Sequence, residues 1–124
     1  MNPSIWRSFL HAGRGFRYAF VMERNFRVQC LAGIVVLFLL LIVPLATWER
    51  VILLSMIMAV LVLELLNTGI ERLIDLVKPR LDAYVKDVKD VMAAAVLLAS
   101  LFAVMIGIVI FWPHVMRWFS SVTV

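Results

Sequence analysis

The stretch VILLSMIMAVLVLELLNTGI, residues 51–70, decides the fold: an unbroken apolar run that carries a single charge, Glu64. About 20 helical residues cross the hydrocarbon core of a bilayer. An open strand there would leave its backbone groups unpaired in lipid, so the reading is a membrane-spanning helix. Two further stretches match it. Val28 to Trp48 carries no charge, and neither does Val91 to Met116. The expected spans are therefore about 28–48, 51–70 and 91–112 of a single 124-residue domain. The first is too long for a signal-peptide core and lacks a small-residue cleavage site, so it is expected to stay in the mature protein.

Composition agrees. The chain is 65% hydrophobic and 16% charged, against roughly half apolar in an ordinary soluble domain. A small soluble fold exposes too much of its surface to hide so many apolar side chains. A disordered chain and a nucleic-acid-binding module fit no better. A lone cysteine, Cys30, excludes an internal disulfide and a cysteine-based metal site.

Basic residues set the orientation. Five precede or open the first span (Arg7, Arg14, Arg17, Arg24, Arg27) and five lie between the second and third (Arg72, Lys78, Arg80, Lys86, Lys89). Only Arg50 joins the first two spans, and only Arg117 follows the third. The positive-inside rule places the rich segments in the cytoplasm, giving N-terminus in and C-terminus out, with Trp48 and Trp112 at the outer interface. Residues 4–22 read as an amphipathic surface helix: Ile5, Phe9, Ala12, Phe16 and Phe20 recur on one face, Arg7, His11, Arg14 and Tyr18 on another. Ala95, Ala99, Ala103 and Gly107 form a small-residue stripe that lets membrane helices approach closely.

Glu64 is the chemically informative residue, because an intramembrane carboxylate usually faces a polar cavity and marks function. At about 100° per residue, Glu64, Asn67, Glu71 and Asp75 fall at about 0, 300, 340 and 20°, one stripe running toward the cytoplasm. Solvation accounts for Glu71 and Asp75, at or beyond the membrane boundary, but not for Glu64. Glu23, with Asn25 close by, precedes the first span, and Lys86, Asp87, Lys89 and Asp90 precede the third. Acids at a helix start ordinarily complement the dipole. Carboxylates from three segments converging on one interface suit Mg²⁺, which takes one or two carboxylates plus substrate phosphates. Lysine suits a phosphate oxygen. That inventory fits phosphoryl transfer from a cytoplasmic nucleotide to an interfacial lipid alcohol. No phosphate-binding loop, Ser/His/Asp set or zinc spacing is present; Gly13-Arg14-Gly15 is a lone GxG.

The stretches SFLHAGRGF (8–16), ERNFR (23–27), ELLNTGIE (64–71) and Lys89-Asp90 before an alanine run resemble the prokaryotic diacylglycerol kinase/undecaprenol kinase family. The resemblance spans residues 8–113, with Glu23 upstream of the ELLNTGIE stretch and Lys89-Asp90 downstream of it in matching order and spacing. It implies an all-α, three-span membrane kinase with an N-terminal surface helix, in the bacterial cell membrane, assembled as a homotrimer with sites shared between subunits. MgATP is the implied phosphoryl donor and a lipid alcohol the acceptor. By the same resemblance Glu64 is the general base, with Asn67 beside it. Glu23 and Glu71 hold the metal. Lys89 contacts ATP phosphates with Asp90 as its partner carboxylate, and Asp75 and His11 lie near the nucleotide. Ser4 stands where one branch has an arginine, and the loop from Lys78 to Tyr84 lacks a histidine often found there. Glu64 and Glu71 are about 10 Å apart along a helix, so a triphosphate would bridge metal and lipid hydroxyl.

Two acceptors stay open: undecaprenol, favoured by HAGRGF, ERNFR and ELLNT, and diacylglycerol. A small proton-coupled exporter would also place one Glu in the membrane, but would not need Asn67, Glu71, Lys89 and Asp90 at one interface.

Overall fold

The structure, a computed structural model, describes residues 3–77 and 82–122. It is all-helical: α1 (Pro3–Met22), α2 (Arg24–Ile42), α3 (Thr47–Val77) and α4 (Asp82–Val122). Segments Arg24–Ile42, Thr47–Leu76 and Tyr84–Ser121 are each long and apolar enough to cross a membrane. At 1.5 Å per residue, the 31 residues of α3 and 41 of α4 extend about 46 and 61 Å. Both outrun a hydrocarbon core of about 30 Å.

Local chemistry explains the breaks. α1 and α2 are separated by one residue, Glu23, in extended conformation (φ −103°, ψ 116°). Arg27 stabilises this corner by donating from Nη1 to the carbonyls of Phe20 (3.2 Å) and Val21 (2.8 Å), acceptors that the end of α1 leaves without helical partners. Phe26, fully buried, meets the Phe16 ring edge-on at 5.0 Å and holds α1 against α2. The charge-free run 28–48 divides between two helices. α2 stops at Ile42 ahead of Pro44, because the residue before a proline is driven out of helical conformation. Trp48 therefore lies in the first turn of α3. The Ala46 amide donates to Glu49 Oε2 at 2.7 Å, one half of a capping box that starts α3.

α4 packs most extensively on α3, α2 on α3, and α1 touches both α2 and α3. Ala95, Ala99, Ala103 and Gly107 are half-buried, while Leu97, Leu98, Leu101 and Phe102 point outward. The small-residue stripe is thus the inward face of α4. Gly33 marks a close approach of α2 to α3: a Cβ there would lie 3.2 Å from Ile57 Cγ2. The main apolar core (Leu40, Leu45, Leu53, Ile110) sits at the Pro44 end of the bundle. The accessible surface is 9600 Å², against roughly 6,700 Å² for a soluble monomer of this mass. The excess is apolar helix surface, as expected where lipid or other protein copies replace water.

Candidate active site

Glu64 lies in the middle of α3, 2% exposed. Its carboxylate is reached from α2: Gln29 Nε2 donates to Glu64 Oε2 at 3.2 Å. Thr68, also buried, returns its hydroxyl to the Glu64 backbone carbonyl at 3.0 Å, satisfying itself within the helix. A buried carboxylate is tolerated only where hydrogen bonds replace water, and the amide of Gln29 supplies one.

One turn further along α3, Asn67 Nδ2 donates to Glu71 Oε1 at 3.2 Å. Asn67 therefore orients Glu71 rather than Glu64. Its own Oδ1 is buried with no hydrogen-bond partner among the described residues. A turn beyond, Lys89 of α4 reaches across to Asp75 Oδ1 at 2.9 Å. The carboxylate that meets Lys89 is thus on the facing helix, while the adjacent Asp90 is exposed. Glu23 and Glu71 lie within electrostatic range of Glu64, and Glu71 within range of Lys89. The fold thereby brings Glu23 from the α1–α2 corner, Glu64, Asn67, Glu71 and Asp75 from α3, and Lys89 from α4 to the same end of the bundle. Glu23 makes no side-chain capping bond to α2, so its carboxylate is not committed to the helix start. His11 is set apart: it is exposed on α1 and receives Arg14 Nη2 at 2.9 Å. Of the loop 78–84, residues 78–81 lie outside the described residues.

Side chains that sequence reasoning left out of the site complete the arrangement. Gln29 is the only amide in the charge-free stretch 28–48, and that isolation was its signal. Tyr18 lies beneath the Arg72 guanidinium, 4.3 Å from ring centroid to Cζ, joining α1 to α3 beside Glu71. A cation over an aromatic face is attractive, but the partners lie on different helices and have no local sequence mark. At the far end of the bundle, Glu49 Oε1 meets His114 Nε2 at 3.2 Å and Arg117 Nη2 meets His114 Nδ1 at 2.8 Å, tying α3 to α4. A largely apolar groove of about 1180 Å³ runs between α2, α3 and α4 from Gln29 to this cluster.

The donor set can be weighed against a divalent cation. Among the described residues no three His, Cys, Asp or Glu side chains gather closely enough to cage a metal. Mg²⁺ does not need such a cage: it is held through one or two carboxylates together with substrate phosphates and water. Glu71, fixed by Asn67, with the uncommitted Glu23 and the unpartnered Asn67 Oδ1, supplies hard oxygen atoms of the right kind. The residues fit a nucleotide-borne Mg²⁺.

A family model described as prokaryotic diacylglycerol kinase matches residues 10–111. The chain is 37% identical over 109 residues to the undecaprenol kinase of Bacillus subtilis, covering 88% of this chain and 89% of that protein. It is 37% identical over 106 residues to a diacylglycerol kinase of Synechocystis, covering 85% of this chain and 61% of that protein. Against the diacylglycerol kinase of Escherichia coli the identity is 32% over 110 residues, covering 84% and 85% of the two chains.

Proposed function

Since the chain belongs to the prokaryotic diacylglycerol kinase family and is a multi-pass membrane lipid kinase, we propose that it transfers the γ-phosphoryl group of ATP to undecaprenol, with Glu64 as general base. The observation that carries this reading is the buried carboxylate of Glu64. It sits within a spanning helix, bonded to a neighbouring helix and continued toward the α1 end by Asn67, Glu71, Asp75 and Lys89. A structural membrane subunit has no use for such a stripe.

In the reaction, Glu64 accepts the hydroxyl proton of the lipid as the lipid oxygen bonds to the γ-phosphorus. The bond from that phosphorus to the ADP oxygen breaks, and ADP leaves with the electron pair. Glu71 and Glu23 would hold Mg²⁺, with Asn67 fixing Glu71. When bound, that cation neutralises charge on the phosphates. Lys89, steered by Asp75, offers its ammonium to a phosphate oxygen, while a nucleotide role for Asp90 and His11 rests on the family resemblance alone. Such a transfer depends chiefly on positioning and electrostatics. A stripe that separates the base from the metal-holding Glu71 by about 10 Å suits a donor lying along α3.

The B. subtilis undecaprenol kinase and the Synechocystis diacylglycerol kinase share the same 37% identity with this chain, so the choice of undecaprenol rests on the stretches HAGRGF, ERNFR and ELLNT and on the fuller coverage of the B. subtilis protein, 89% against 61%. We further propose a homotrimer in the bacterial cell membrane, N-terminus and active site cytoplasmic, with α1 on the membrane surface. The exposed apolar residues Ile5, Trp6, Phe9 and Phe20 of α1, and the apolar area left open on α2 and α4, support both points. The test is purified protein with ATP and each lipid in turn. Faster phosphorylation of undecaprenol supports the assignment, faster phosphorylation of diacylglycerol reassigns the acceptor, and phosphorylation of neither refutes the reading.

A further inference from the structure

We propose that Gln29 is a positioning residue for catalysis, whose side-chain amide serves Glu64 in both of its protonation states. This rests on Glu64 acting as the base. Gln29 arrives from α2, and its Nε2 donates to Glu64 Oε2 at 3.2 Å. The other polar residues nearby are engaged differently: Asn67 donates to Glu71, and the Thr68 hydroxyl bonds the backbone of α3. Gln29 Oε1 is itself buried and has no hydrogen-bond partner among the described residues. An amide with its donor used and its acceptor idle, beside a buried acid, is the observation to be explained.

Proton chemistry explains it. A carboxylate is acceptor-only, whereas a carboxylic acid carries one O–H donor. As the lipid oxygen bonds to phosphorus, its proton passes to Glu64, which turns from acceptor into donor in a site 2% exposed to solvent. A buried donor without a partner is strongly disfavoured. Gln29 meets both needs: Nε2–H binds the carboxylate before transfer, and after a half-turn of the amide Oε1 receives the acid proton. The same side chain fixes the carboxylate across the α2–α3 boundary, where Gly33, one helical turn on, lets the two helices approach closely.

Gln29→Met tests this, because methionine preserves length and volume but neither donates nor accepts strongly. The expected result is a kcat about tenfold lower or more, the worth of one hydrogen bond to a charged group, with KM for MgATP unchanged. In a Glu64→Gln background the same change is expected to cause no further loss, since the group it serves is gone. Gln29→Glu supplies a polar isostere should the methionine variant assemble poorly. A glutamate can donate only while the pair retains a proton, so turnover relative to wild type is expected to fall as pH rises. Unreduced kcat in Gln29→Met, an equal loss in the Glu64→Gln background, or a Gln29→Glu pH profile parallel to wild type would overturn the role of Gln29. Wild-type protein that phosphorylates neither lipid would instead remove the kinase reading beneath it.

Discussion

Replacing Glu64 by glutamine isolates proton acceptance from everything else the residue does. The two side chains are isosteric, and a glutamine carbonyl at position 64 still accepts from Gln29 Nε2, which lies 3.2 Å from Glu64 Oε2. The buried position then holds a neutral group with a partner, so the helix pairing survives. What is lost is the carboxylate proposed to accept the lipid proton. General-base catalysis contributes about 10² to 10⁴ in rate, equivalent to roughly 2.7–5.4 kcal/mol of barrier at about 1.36 kcal/mol per decade. Glu71 lies about 10 Å further along α3 and keeps its bond from Asn67, so KM for MgATP is expected to stay at the wild-type value. The assay is ADP release coupled to lipid phosphorylation in mixed micelles, with nucleotide binding measured separately by titration. Glu64→Asp makes a graded companion: one methylene shorter, it draws the carboxylate away from Gln29 and is expected to fall between the two. Retention by Glu64→Gln of wild-type kcat, or loss of MgATP binding with kcat intact, would refute the assignment of the base.

Asn67→Leu removes the donor that holds Glu71 and is expected to raise the Mg²⁺ concentration for half-maximal activity by about tenfold, as for other outer-shell partners of a metal ligand; an unchanged Mg²⁺ titration would count against Glu71 as a ligand. Gly33→Leu drives a side chain into Ile57 at a tight point of the α2–α3 contact and is expected to destabilise the bundle by about 1–3 kcal/mol, typical of overpacking, read as lowered thermal stability in detergent. His114→Ala removes the link between Glu49 and α4 at the end remote from Glu64; thermal stability is expected to fall with turnover unchanged, and a selective loss of turnover would show that the two ends communicate.

The spans are legible because lipid imposes a demand that shows in sequence: long runs without charge can be counted. The polar stripe is legible for a related reason, since Glu64, Asn67, Glu71 and Asp75 lie on one helix and helical geometry alone aligns them. Where α2 ends is not visible to that count, because Val43 to Ala46 is as free of charge as the spans it separates; only the conformational restriction before Pro44 marks the break. Pairings between helices are hidden for a deeper reason. Gln29 and Glu64, Tyr18 and Arg72, Asp75 and Lys89, and Glu49 and His114 each join two different helices. No local period relates such partners. The family resemblance paired Lys89 with its neighbour Asp90, yet successive residues on a helix point about 100° apart, and the facing helix supplied Asp75 instead.

These cross-helix pairs also account for how so small a chain holds the proposed site. A carboxylate at position 64 is unfavourable in lipid on its own, and the apolar stretch 51–63 contains no lysine or arginine to neutralise it. Its stability depends on α2 delivering Gln29, which in turn depends on Gly33 allowing α2 close and on Arg27 and Phe26 fixing the corner where α2 begins. Glu23 occupies that same corner. The device that orients the proposed base therefore also sets where Glu23, a proposed metal-holding carboxylate, stands, so a disturbance of the α1–α2 corner is expected to alter turnover and Mg²⁺ dependence together, whereas a disturbance at the Pro44 end is expected to alter neither.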